Sequence, residues 1–221
     1  MARNKYPEIT EARILDAAEH LFLEKGYENT TIQDIVDALG DLTKGAVYHH
    51  FKSKEEIVDA VGDRMFLRRN PFVAVEDRKD LNGLEKFRES IRLNQKDEAR
   101  MELTVQSMSI LKNPRFLVEM IQDNQRTLAP AMQRLIEEGV QDGSIHTEYA
   151  KELSEVIPLL MGLWMVPALY PATAEEMMRK FRFIGEVLDR MGVPLVDEAM
   201  LQYLEPYFQK LQDASQEKIG K

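Results

Sequence analysis

The chain has 221 residues, no cysteine, and 38 acidic against 29 basic residues, for a formal net charge of -9. The lack of thiols excludes a disulfide scaffold and thiolate metal centres, and the acidic balance excludes a uniformly basic nucleic-acid coat. A hydrophobic fraction of 44% in a chain of this length supports one large or two small cores.

No signal-peptide pattern opens the chain, which together with the thiol-free composition points to a cytoplasmic protein. Arg3 and Lys5 form a short basic arm, either a groove-reaching segment or simply a loose terminus. Thr10 to Gly26 is predicted as the first helix, with Ile14, Ala18, Leu21 and Phe22 on one stripe and a Lys25-Gly26 stop. A second helix starts at Thr30 or Thr31, closed by Gln33 or Asp34 three residues on, and buries Ile32, Ile35, Val36 and Leu39. Gly40 ends it, Thr43 caps a third, and Val47 and Phe51, four apart, point inward.

Two short helices around a Gly-containing turn form the pattern of a helix-turn-helix DNA reader. The outer face of the third helix carries the chemistry that phosphate and base edges need. Lys44 brings a flexible ammonium, Gly45 a bare backbone for close approach, and Thr43 and Tyr48 bring hydroxyls, with His49 alongside. Lys52 and Lys54 follow, and Ser53 with Glu56 is predicted to form a second capping box that opens a helix to about Arg69.

The segment from about Thr10 to Met65 resembles the DNA-binding domain of the TetR family of transcriptional repressors, most closely in the run from Thr43 to Ile57. The resemblance implies that Thr43, Lys44, Gly45, Ala46, Tyr48 and His49 are recognition-helix positions. It also implies that Tyr48 and Lys54 contact phosphate, that Thr31 opens the helix crossing the backbone, and that Phe51 is the core aromatic. One departure is visible: Asp41-Leu42 stands where the family commonly has a small residue and a Val, and an acid beside a phosphate is unhelpful unless it points away. The likeness covers the first quarter to third of the chain.

Charge is the main objection, because residues 1–70 hold 10 Lys and Arg against 13 Asp and Glu, a net of -3. Local sign within a Debye length of roughly 8 to 10 Å matters more, and Thr43 to Lys54 holds three lysines and no acid. About three to five phosphates neutralised per head give a dimer a log-log salt slope of order -5 to -9.

After Asn70-Pro71, helical spacing predicts elements over Asn82 to Met108 and beyond, Pro114 to Val140, Thr147 to about Tyr170, Thr173 to Met191 and Asp197 to Gln212. Pro130 is predicted to kink or divide its helix, with Gly139 and Asp142-Gly143 marking the exit. Val156 to Tyr170 is apolar on nearly all faces, yet Pro158, Pro167 and Pro171 interrupt it, so it is predicted to be covered by its own domain and a symmetry mate rather than by membrane. Resemblance implies dimerisation through two late helices, here Thr147 to Tyr170 and Thr173 to Met191, with Asp197 to Gln212 competing for the second place.

The late segment is rich in methionine (Met101, Met108, Met120, Met132, Met161, Met165, Met177 and Met178), which suits either ordinary core filling or a plastic cavity. Met101, Phe116, Met120, Trp164 and Tyr170 are the candidate lining residues for an apolar or aromatic effector. Glu102, Glu119 and Asp123 read as surface charge or as partners of a cationic ligand. No His-Glu-x-x-His, phosphate loop or Gly-x-Ser-x-Gly elbow is present, and His20 with Glu24 reads as a surface pair, so neither enzyme chemistry nor a cofactor is expected.

The expected fold is all-α. Residues 1–52 form a helix-turn-helix DNA-binding domain, 53–70 a connecting helix, and 71–221 an effector-binding and dimerisation domain. The expected partners are double-stranded DNA, a second copy and a small-molecule effector. A helical ligand- or protein-binding module that does not read DNA, and a helical enzyme, remain as alternatives.

Overall fold

The computed structural model describes residues 7–112 and 114–217, whose regular elements are all helical, with no strand among the described residues. They divide into two compact units: the chain up to Arg69 together with Asp97–Ser107, and Asn70–Lys96 together with the chain from Met108 onward. The chain first crosses between the units at Arg69–Asn70, within a residue of the expected limit at 70, and no division falls at 52. Residues 54–68 pack with the helices before them, and a later helix joins them as well. Arg3 and Lys5 lie outside the described residues.

The first unit begins with α1 (Pro7–Lys25), three residues ahead of the predicted start because Pro7 suits a first helical position and Glu8 suits the positive end of the helix dipole. Gly26, at φ 85°, stops it. α2 (Ile32–Leu39) has Thr31 as N-cap in a full capping box with Asp34 and ends at Gly40, φ 72°. α3 (Lys44–His50) is capped by Thr43, whose hydroxyl accepts the Ala46 amide. α4 (Lys54–Arg68) follows Ser53. Ile14, Ala18, Phe22, Ile35, Val47, Ile57 and Val61 are fully buried, and Phe51 and Met65 nearly so.

The second cap differs from expectation by one residue. Ser53 accepts the Glu56 amide, but the Glu56 carboxylate accepts from the Lys52 amide at 2.7 Å rather than from Ser53. The last helix of this unit is α7 (Glu98–Ser107), which lies against α1 and α4. Its start breaks the predicted run from Asn82 to Met108. Asp97 takes the break by accepting the Arg100 amide on its side chain and the Met101 amide on its carbonyl.

The second unit holds α5 (Pro71–Glu76), α6 (Gly83–Lys96), α8 (Pro114–Asp123), α9 (Ala129–Asp142), α10 (Ala150–Leu159), α11 (Ala174–Arg190) and α12 (Glu198–Glu217). α5 is unanticipated; Asn70 caps it and Pro71 occupies its first turn. α6 opens on a capping box between Asn82 and Glu85. α6 and α10 both pack on α9, and α11 packs on α12.

Pro130 divides its helix as expected, and the five-residue π-turn Asn124–Leu128 lies directly ahead of it. The wider turn absorbs a residue that lacks an amide hydrogen and collides with the preceding turn. The predicted helix to Tyr170 is shorter. α10 passes into a π-turn over Leu160–Trp164, and turns lead to Pro171. Gly139 is not an exit signal. It is buried inside α9 where α6 crosses, and Gly143, φ 81°, ends the helix. No described helix is long and apolar enough to cross a membrane.

Candidate nucleic-acid interface

The exposed surface of the first unit is decided by how its charges pair. Arg64 on α4 binds Asp16 at 2.9 Å and Glu19 at 2.7 Å on α1, and Arg68 binds the same two acids at 3.5 and 3.0 Å. Arg64 also donates to the Ala12 carbonyl. α1 and α4 are thereby clamped along one side, and two of the acids that burden the net charge are neutralised.

Asp41, the departure noted in the turn, has its own answer. Arg13 on α1 grips it with both terminal nitrogens, at 3.0 and 2.5 Å. The guanidinium holds the Asp41 carboxyl below the usual carboxylate range through that hydrogen bond. A bidentate fork both neutralises the acid and fixes where it points. If the turn faces DNA, replacing Arg13 by Ala frees an anion there and is expected to weaken duplex binding about fivefold at ~0.1 M salt, and Asp41→Asn in the same chain should restore it. Titrations of both variants on one duplex check this.

The α2 cap is electrostatically tight. Asp34 accepts from the Thr31 hydroxyl at 2.6 Å and the Thr31 amide at 2.8 Å, and Lys25 stands 3.3 Å away. These bonds, the hydroxyl first, pull the Asp34 carboxyl down to about 2. A carboxyl lowered on folding adds stability that is whole above its unfolded value of roughly 3.9. That stability is lost as pH falls from about 4 through about 2. NMR titration of the Asp34 carboxyl should show the depressed midpoint, and Thr31→Val should return it toward 4.

α3 presents the predicted face. Thr43, Lys44, Gly45, Tyr48 and His49 are exposed and Ala46 half-exposed, while Val47 is wholly buried. Tyr48 is 45% exposed. His49 and His50 meet edge to face at 5.6 Å. Thr31 is exposed at the start of α2, with its hydroxyl engaged in the cap.

Lys54 is placed against expectation. Its ammonium turns inward to the carbonyls of Tyr27 and Thr30, at 2.8 and 2.9 Å, and sits 4.1 Å from the Tyr27 ring centroid. Two backbone acceptors and an aromatic face in reach outcompete solvent for a half-buried cation.

Residues 14–61 match the model of the bacterial regulatory proteins of the tetR family. Residues 14–61 therefore form a TetR-type N-terminal domain. The transcriptional repressor KstR2 of Rhodococcus jostii is 52% identical over 48 residues, 22% of this chain and 23% of that protein. The transcriptional regulator TtgR of Pseudomonas putida is 43% identical over 56 residues, 25% of this chain and 26% of that one. The matched segments thus span only about a quarter of these relatives' length. A TetR-family transcriptional regulator of Pectobacterium atrosepticum shares the fold, with a TM-score of 0.62 at 23% identity, covering 86% of this chain and 98% of that one. GusR of Salmonella enterica does likewise, with a TM-score of 0.56 at 21% identity over 96% and 98%. The TetR family is one of transcriptional regulators, not enzymes.

Outside the TetR-type domain, the candidate effector-lining residues belong to both units. Met101 belongs to α7 in the first unit. Phe116 is buried in α8, and Met120 approaches Gly162 of the π-turn. Trp164 and Tyr170 do come together, around Lys180. That ammonium donates to the Trp164 carbonyl at 3.2 Å and lies 5.5 and 5.6 Å from the two ring centroids. Trp164 also lines a shallow groove of about 320 Å3 with Pro171, Ala172, Glu176, Arg179, Lys180 and Phe183. Glu102 accepts from Gln106 within α7, and His20 meets Glu24 at 3.5 Å as an exposed pair.

Proposed function

We propose that this protein is a ligand-responsive repressor of the TetR family that binds a pseudo-palindromic operator as a homodimer and is released by a small-molecule effector. The observation that carries the reading is the presentation of α3. A capped seven-residue helix is anchored by buried Val47 and Phe51, with Lys44, Gly45, Tyr48 and His49 turned to solvent and Asp41 of the preceding turn paired with Arg13. Thr31, Thr43, Lys44, Gly45, Ala46, Tyr48 and His49 are the proposed DNA-facing set. Lys54, as placed, supports that set from behind. An operator-binding protein of this kind works in the cytoplasm.

Dimerisation through α10 and α11 is supported by their outward apolar side chains. Val156 and Leu159 on α10 are 45% and 36% exposed, and Phe183 and Val187 on α11 are 56% and 38% exposed. α12 is the weaker candidate because Leu204 and Phe208 are buried within the chain, Phe208 against Phe181 of α11 at 6.0 Å. Two reading heads spaced by a two-fold axis call for half-sites about one DNA turn apart or somewhat more.

Release requires that the effector favour a head spacing that does not fit the operator; a coupling of roughly 1 to 3 kcal/mol weakens binding about 5- to 150-fold. α4 is the proposed lever. Because Arg64 and Arg68 bind it to α1, a push on α4 moves the reading head as one body. Trp164 and Tyr170 are the best supported of the lining residues, since they already flank one cation with aromatic faces.

The test is selection of bound duplexes from a random pool by the purified protein, with and without cell extract. Enrichment of an inverted repeat, diminished by extract, is expected. A pool left at random composition at low ionic strength contradicts the reading.

A further inference from the structure

The short turn between α1 and α2 is held from three directions. Lys54 of α4 donates to the carbonyls of Tyr27 and Thr30. Gln106 of α7 accepts the Tyr27 amide on its Oε1 at 3.3 Å. Thr30 donates its hydroxyl back to the α1 end, toward the carbonyls of Gly26 at 2.9 Å and Leu21 at 3.2 Å. Tyr27 is 4% exposed and Thr30 not at all, and the next residue is Thr31, the cap from which α2 starts.

An ammonium has three N–H groups. Two are spent on carbonyls and the Tyr27 ring face takes the remaining side, so no donor faces a phosphate in this arrangement. Swinging Lys54 outward would strip the donor from carbonyls of two buried residues, and burial already holds its pKa below the ordinary lysine value. α7 contributes a neutral acceptor on the same turn, and its flanking residues on both sides, Lys96 and Met108, belong to the second unit.

We propose that Lys54 is a positioning residue for DNA reading, not a phosphate ligand, and that Gln106 is its counterpart on α7, the two together setting where α2 begins. The proposal rests on the operator-binding reading above. Lys54 holds the turn with charge-assisted bonds and Gln106 with one neutral bond, so the α7 hold is the softer of the two. A displacement of α7 therefore reaches the α2 cap through Gln106 while Lys54 keeps the turn attached to α4.

The experiment is operator binding by the full chain across a salt series, for wild type, Lys54→Met and Gln106→Leu, together with amide exchange of residues 27–31 in the DNA-free protein. Methionine keeps an apolar stem on the Tyr27 ring and removes the charge. A lost phosphate contact would flatten the log-log slope by about 0.9 per head, about 1.8 for the dimer. Positioning predicts instead a roughly tenfold loss of affinity at every salt concentration with the slope unchanged to within about 0.3, and faster exchange at residues 27–31. Gln106→Leu, which changes no charge, should give a several-fold loss at unchanged slope and faster exchange of the Tyr27 amide.

A slope flattened by about 1.8 in Lys54→Met, or wild-type affinity and exchange in Gln106→Leu, overturns the assignment. If Lys54→Met does not fold, Gln106→Leu decides the matter with the same two readings. A wild-type protein that binds no duplex counts against the operator-binding reading instead, and the exchange rates still decide the hold on the turn.

Discussion

Lys44→Ala with Tyr48→Ala is expected to lower operator affinity on the order of 1,000-fold while leaving the fold intact. Both side chains are exposed and neither is bonded into the core, so alanine, a better helix former, leaves α3 at least as stable. Each contact to base or phosphate is worth about 1 to 3 kcal/mol, and two heads lose two contacts each, so even the low end sums to about 4 kcal/mol. Losing the two Lys44 charges should also flatten the log-log salt slope by about 1.8. Binding titrations beside a thermal melt check this. A loss under about tenfold with an unchanged melt means that α3 is not the reading surface.

Gly83→Ala is expected to destabilise the second unit severely. A Cβ there would lie 2.1 Å from the Gly139 amide nitrogen and 2.5 Å from its Cα, both backbone atoms of α9. Backbone cannot rotate away as a side chain can, so α6 and α9 must separate and uncover buried Leu84, Phe87, Leu135 and Ile136. A cost above about 4 kcal/mol follows, a fall in Tm of at least about 8 °C for a unit of this size. Two controls rank below it. At Gly139 a methyl meets the Ile145 side chain at 2.6 Å, which can partly repack, for about 1 to 3 kcal/mol. At Gly143 it meets nothing within 4 Å and only the left-handed backbone is strained, for about 1 to 2 kcal/mol. Calorimetry of the three variants gives the order directly, and equal melts for Gly83→Ala and Gly143→Ala would contradict the crossing.

The parts of this structure legible beforehand are those written within one helical turn. Thr31 with Asp34, Gly40, Thr43 with Ala46, and Thr173 with Glu176 are contacts three or four residues long, so residue type and spacing determine them. The i, i+4 pair Val47 and Phe51 points inward for the same reason.

What escaped is tertiary. Arg13 answers Asp41 across 28 residues, and Lys54 finds its carbonyls 27 and 24 residues away. No local pattern distinguishes a lysine bound for phosphate from one bound for a turn. Gly139 carries the same residue type as an exit signal but serves a helix crossing, which only the partner Gly83 discloses. The break at Asp97 hides inside a continuous amphipathic run, although an Asp is a ready cap. A cavity is defined by elements distant in the chain, so residue type alone could not show that Met101 packs with the first unit.

The central claim is that the Thr43 to His49 face enters a major groove twice per assembly. Protection of guanine N7, a major-groove atom, on a selected duplex tests it most directly. Two protected patches on one face of the DNA, about one turn apart or somewhat more, both lost with Lys44→Ala and Tyr48→Ala, are predicted. A single patch, protection confined to the minor groove, or protection that survives those substitutions would contradict it.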